Sequence, residues 1–103
     1  MSDTIIVTGV IDLDPAKRDE AIAAALAVME ATRAEDGSVA YTFSADLADP
    51  GRFHLVEEWA SAAAMEAHMA TAHLAEFMAR IGACGVTSAK LTKWEGATGS
   101  KLM

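Results

Sequence analysis

Between Phe53 and His73 the hydrophobic period of the chain changes within two residues, and few folds accommodate such a change. The run Phe53-His54-Leu55-Val56-Glu57-Glu58-Trp59 is rich in β-branched, aromatic and apolar residues. A strand here puts Phe53, Leu55, Glu57 and Trp59 on one face. Ala60 and Ser61 follow, and the Ser61 hydroxyl is placed to accept a hydrogen bond from a free N–H of a first helical turn. An alanine-rich run then carries Met65, His68 and Met69 with strong helix propensity. Thr71, a second N-cap candidate, and His73 come directly after. A strand bearing a carboxylate and an indole therefore turns a tight corner into a helix bearing an imidazole, which gathers the most reactive polar groups at one corner.

The elements around this corner are legible in the same way. Residues 4–11 form a first strand with Ile5, Val7 and Ile11 on one face and Ile6 and Val10 on the other. Apolar residues on both faces imply burial from both sides. Asp14-Pro15 starts a helix, with Asp as cap and Pro at the first helical position. That helix is expected over Ala16 to Glu35, with Ile22, Ala25, Leu26 and Met29 as its apolar stripe, and Asp36-Gly37 ends it. Residues 38–47 alternate as a half-buried second strand, and Ala48-Asp49-Pro50-Gly51 turns the chain back into the third. After the helix of residues 62–70, a second helix carries Leu74, Phe77, Met78 and Ile81. A fourth strand is expected over residues 86–95.

The order strand, helix, strand, strand, helix, strand predicts an α+β domain of ferredoxin-like split βαβ type. It has an antiparallel four-stranded sheet with helices on one face. The domain is expected over residues 1–95, with a loosely ordered tail at 96–103. Because helices cover one face only, the two-faced first strand calls for a second copy of the chain, packed sheet against sheet as a homodimer.

Composition narrows the function classes. Eight basic and fifteen acidic residues among 103 give a net charge of −7, and no basic run occurs, which disfavours nucleic-acid or membrane-surface roles. The longest apolar run, Ala21 to Met29, is too short to span a bilayer. The start of the chain lacks a basic signal region, and the single cysteine, Cys84, allows no internal disulfide. A cytoplasmic protein is the expectation.

His68 is the leading candidate for chemistry. On a helix it shares a face with Ala64, Met65 and Ala72, where an imidazole beside apolar surface can act as a general base. The alternative is a core-edge histidine bonded to a carbonyl or a strand carboxylate. Glu57 and Glu58 point to opposite faces, and Glu57 shares the inward parity of Trp59. It either pairs with His68 and orients the imidazole or forms a structural bond. Trp59, Tyr41 and Phe43 are aromatic candidates for a substrate wall, each equally at home in a core. His73 reads as corner architecture, and His54 as an interface or solvent residue. The five-residue spacing of His68 and His73 keeps them off a common helical face, so no metal set is expected.

The motifs Asp49-Pro50-Gly51-Arg52-Phe53, Glu57-x-Trp59, Ser61, Glu66-Ala67-His68 and Thr71-x-His73 resemble the antibiotic-biosynthesis-monooxygenase family of small domains. Upstream, Asp14-Pro15, Arg18-Asp19-Glu20 and Gly37-Ser38-x-x-Tyr41 extend the resemblance, which runs from Thr4 to Glu95. It implies a dimeric α+β barrel with one small pocket per subunit. Many such domains are cofactor-free oxygenases in which a deprotonated quinol or polyphenol itself reduces dioxygen. His68 would be the base, Glu57 its orienter, and Tyr41 and Trp59 the wall. Phe43, Met69, Phe77 and Thr8 would complete the binding site, with no metal and no cofactor.

Haem-degrading relatives require an asparagine on strand one, a helix tryptophan and a haem-ligating histidine. By register those positions are Thr8, His68 and Met78, and this chain contains no asparagine. Two other functions compete with oxygenation: isomerisation of a small carbonyl metabolite, and binding without conversion. Arg52 and Arg80 are the candidate phosphate contacts for a phosphorylated-sugar isomerase.

Overall fold

A computed structural model describes residues 3–103; Met1 and Ser2, where the domain is expected to begin, lie outside them. The chain order is β1 (Ile5–Asp12), α1 (Arg18–Arg33), β2 (Ser38–Ala45), β3 (Arg52–Trp59), α2 (Ala62–Met69), α3 (Ala72–Gly82) and β4 (Ser88–Glu95). The four strands form one antiparallel sheet in the order β2-β3-β1-β4, the ferredoxin-like α+β arrangement. A single 3₁₀ turn at Pro15–Lys17 precedes α1, with the Asp14 side chain accepting from Ala16 N–H. The predicted helix over 16–35 is thus a tighter entry turn followed by a shorter α-helix. β4 starts two residues later than expected and β2 ends two residues earlier.

Side-chain parity along β1 and β3 sorts the core. Ile5, Val7 and Ile11 of β1 and Phe53, Leu55, Glu57 and Trp59 of β3 are buried on the helix side. Ile6 and Val10, half-buried, lie on the other face beside exposed Thr8 and Val56. Helices cover one side only, as the order of elements implies.

Two side-chain expectations fail. The buried face of α1 is Ala21, Ala24, Ala25, Val28 and Thr32, turned by about one residue from the predicted stripe. Ile22 and Met29 pack at its edge, whereas Leu26 is exposed. Alanines let the helix axis approach its neighbours closely, so the smallest side chains take the tightest contact and the larger ones flank it. In β2, Val39 is exposed because the pairing with β3 shifts register between Ser38 and Ala40. An extra residue at that point breaks the in–out alternation.

Both N-caps of the corner are present. Ser61 Oγ accepts from Ala64 N–H at the start of α2, and Thr71 Oγ1 accepts from Leu74 N–H at the start of α3. Thr71 also donates to the His68 carbonyl at 2.7 Å, so one side chain ends the first helix and begins the next. The corner rests on Gly37, whose φ of +83° follows α1 and whose carbonyl accepts from Ala60 N–H at 2.9 Å. A Cβ on Gly37 would stand 2.5 Å from the Ala64 methyl. Gly37→Ala therefore combines left-handed strain with a clash against α2, and should destabilise the fold by about 1–3 kcal/mol. Chemical denaturation will measure it; an unchanged midpoint would remove Gly37 from this role.

Candidate functional site

His68 is buried, with a relative exposure of 2%, because the α2–α3 corner presses the last turn of α2 onto the sheet. Its ring stacks at a tilt against the Trp59 indole, with centroids 4.8 Å apart, and meets the Tyr41 ring edge-on at 5.3 Å. His68 Nδ1 lies 2.8 Å from Glu35 Oε2, and His73 Nε2 lies 2.7 Å from the same oxygen. Glu35 stands two residues past the end of α1, in the turn that leads to Gly37. A carboxylate just past α1 thus joins two histidines that lie 33 and 38 residues later in the chain.

This geometry corrects three sequence expectations. The partner of His68 Nδ1 is Glu35; the Glu57 carboxylate instead accepts from Trp59 Nε1 at 2.8 Å. His68 and His73 do converge, since a helix break separates them and the five-residue helical spacing does not apply. Thr8 sits on the opposite face of the sheet, where its hydroxyl accepts from Trp94 Nε1 at 3.0 Å, and cannot meet a ligand bound beside His68. Glu35 escaped the sequence reading because an acid at a helix end is usually solvated, and only the tertiary path of α1 brings it inward.

The donor atoms of Glu35, His68 and His73 lie within 4.8 Å of one another, close enough to raise a cation as an occupant. Neighbouring ligands on one ion with bonds of about 2.1 Å stand about 3.0–3.4 Å apart. The N···O separations of 2.7 and 2.8 Å here are those of hydrogen bonds.

Beside the imidazole lies a cavity of about 520 Å³ between the sheet and α2–α3, within the range of small-molecule sites. Ile11, Leu55 and Leu91 form part of its sheet side, and Met69, Phe77 and Met78 part of its helix side. Its polar lining is confined to Tyr41, Glu57 and His68. Phe43 also lines it, in a tilted contact with Phe77 at 5.1 Å. Trp59 does not: it is wholly buried behind the imidazole, so it braces His68 and is no part of the wall. Arg52 and Arg80 lie elsewhere, Arg52 in an ion pair with Asp12 at 2.7 Å and Arg80 in a groove between α1 and α3.

The electrostatics separate buried Glu57 from part-buried Glu35. Burial pushes the Glu57 carboxyl above its ordinary range, and the Trp59 bond and the nearby His68 only partly offset it. Burial would raise Glu35 as well, but the bonds from His68 and His73 outweigh it and the net shift is downward. Burial, reinforced by the charges of Glu57 and Glu35, drives the Tyr41 phenol far above its usual range. Tyr41 is thus a neutral hydroxyl at physiological pH, Glu35 a carboxylate, and Glu57 the acid that most readily holds a proton.

A test follows from the Glu57 shift. Because its folded-state pKa is raised, the folded chain binds that proton more tightly than the unfolded one. The associated stability is present below the unfolded value and is lost as pH rises through the folded one. Glu57→Gln keeps an acceptor for Trp59 without the charge, so it should raise the melting temperature at pH 8, with the gain shrinking toward pH 4. A pH-independent difference in thermal unfolding would contradict this account.

The profile of the family described as "Antibiotic biosynthesis monooxygenase" matches residues 4–80. The Bacillus subtilis protein "Putative monooxygenase YcnE" is 32% identical over 76 residues, covering 74% of this chain and 80% of that one. "Uncharacterized protein sll1783" of Synechocystis is 34% identical over 76 residues, again 74% of this chain but about half, 52%, of its own length. Among solved structures, one described as a putative antibiotic biosynthesis monooxygenase from Deinococcus radiodurans superposes with a TM-score of 0.88 at 27% identity. That superposition covers 96% of this chain and 98% of the other. Matched along three-quarters of its length in sequence and nearly all of it in fold, the chain belongs to the antibiotic biosynthesis monooxygenase family.

Proposed function

We propose that this domain is a cofactor-independent monooxygenase that oxidises a small quinol-like or polyphenolic aromatic with dioxygen. The observation that carries the reading is a buried imidazole, backed by a carboxylate, set into a largely apolar cavity. With Nδ1 engaged by Glu35, Nε2 is the nitrogen left to meet a ligand. It takes a hydroxyl proton from the substrate, and the phenolate supplies electrons to dioxygen. A ring hydroperoxide forms and collapses to a quinone and water, with one oxygen atom retained in the product. Because the substrate is the reductant, the reaction needs no flavin or metal.

Glu57, held toward its neutral form by burial, can donate a proton to the departing oxygen. Opposed shifts in a pair of acids are how one site runs acid and base chemistry together. Tyr41 supplies a neutral hydroxyl to a substrate oxygen, while Phe43, Met69 and Phe77 receive the ring. No lysine or arginine lines the cavity among the described residues, which argues against a phosphorylated substrate and weakens the sugar-phosphate isomerase alternative.

Oxygen uptake should be seen with hydroquinones or naphthoquinols. His68→Ala should lower the rate by about 10²–10⁴-fold, the range of a lost general base. Unchanged turnover in that variant would remove the mechanism. Turnover that persists under anaerobic conditions would favour proton-transfer isomerisation at the same pair, and saturable binding without product would favour a sequestering role.

The domain is proposed to work in the cytoplasm as a homodimer. Among the described residues no helix is long and apolar enough to cross a membrane. On the uncovered sheet face, Val56 and Trp94 are 50% and 54% exposed. A second copy laid against it would supply the cover that Ile6 and Val10 lack. Val56→Asp should shift the sedimenting species to a monomer; a wild-type chain that sediments as a monomer at micromolar concentration would refute the dimer.

A further inference from the structure

Glu35 accepts two hydrogen bonds on one oxygen, and the second, from His73, takes no part in the proposed proton transfer. The two histidines face different surroundings. His68 lines the cavity, whereas His73 lines a separate groove of about 180 Å³ between α1 and α3. The Glu35 side chain keeps some exposure, 14%, and sits in a turn outside the helix. Two side-chain donors, His68 and His73, therefore hold the carboxylate in place.

An ionised carboxylate can only accept. With Glu35 held below its usual range, His68 Nδ1 and His73 Nε2 must both carry the hydrogen of their bonds. A neutral His68 is then confined to one tautomer, which leaves Nε2 as the bare nitrogen with which the proposed base must act. Without His73, His68 alone would hold the Glu35 carboxylate, and no other side-chain hydrogen bond among the described residues holds the ring to that tautomer. The neighbours of His68 on the strands offer no substitute: the Glu57 carboxylate accepts from Trp59, and Tyr41 meets the imidazole through its ring.

We propose that His73 is a positioning residue for this site: by donating to Glu35 it fixes the tautomer and orientation of His68. This role rests on the reading of His68 as the base, but its structural half can be tested without turnover. The experiment compares His73→Leu, which removes the donor, with His73→Gln, which restores one, in ¹⁵N-labelled full-length protein. Long-range ¹H–¹⁵N spectra of the imidazole report which ring nitrogen of His68 is protonated.

The wild type and His73→Gln should show a protonated Nδ1 and a bare Nε2, and His73→Leu a mixture of the two tautomers. With a hydroquinone substrate, His73→Leu should lower kcat on the order of 10²-fold with little change in KM, as expected when a reacting group is misplaced. His73→Gln should recover most of that loss. Leu and Gln variants that behave alike in the spectra, whether both native-like or both altered, would overturn the proposal. A tautomer difference between His73→Leu and His73→Gln, beside a wild type that turns over no quinol, would uphold the clamp and refute the oxygenase reading alone.

Discussion

The arrangement depends on one part-buried carboxylate serving two imidazoles. Glu35 gathers the end of α1, the last turn of α2 and the first turn of α3 onto a single oxygen atom. Burying a carboxylate is costly unless donors replace its water, and here the replacement is complete enough to leave Glu35 more acidic than usual. The fold and the candidate chemistry thus share an interaction. The bond that ties the corner to the long helix also decides which nitrogen of His68 is free.

Around that bond the packing is graded by side-chain size. Alanines on α1 allow close approach, and Gly37 lets the chain pass under α2 without a side chain in the way. Trp59, wholly buried, takes the space behind the imidazole and donates to Glu57. The indole therefore supports both members of the proposed acid–base pair while touching no ligand. On the cavity side, aliphatic, methionine and phenylalanine side chains make the lining largely apolar and leave polar contact to Tyr41, Glu57 and His68. Methionines at the rim, Met69 and Met78, adapt readily to ligands of different shape.

The scaffold was highly legible because its signals are local. Asp14-Pro15, Ser61 and Thr71 mark helix starts through bonds within three residues, and the parity of β1 and β3 follows from the pleat alone. The partners at the site were less so. His68 is marked by its place on an apolar stripe, but its carboxylate lies at the end of α1, 33 residues earlier in the chain, and not on the neighbouring strand. The five-residue spacing of His68 and His73 suggests separation only if they share one helix. It did not apply once Thr71 capped the first helix and opened the second.

By itself the sequence determined the order of elements, their caps, the inward face of each central strand and the identity of the reactive side chains, because these depend on hydrogen bonds and periodicities of a few residues. Only the tertiary structure decided that Glu35 rather than Glu57 holds His68, that Trp59 backs the ring instead of lining the cavity, and that Thr8 looks away from it. Those outcomes turn on how α1 crosses the sheet and where the α2–α3 corner bends, and on the depth at which each side chain comes to rest. Such distances are set by the packing of segments far apart in the chain, for which no short-range pattern carries a signal.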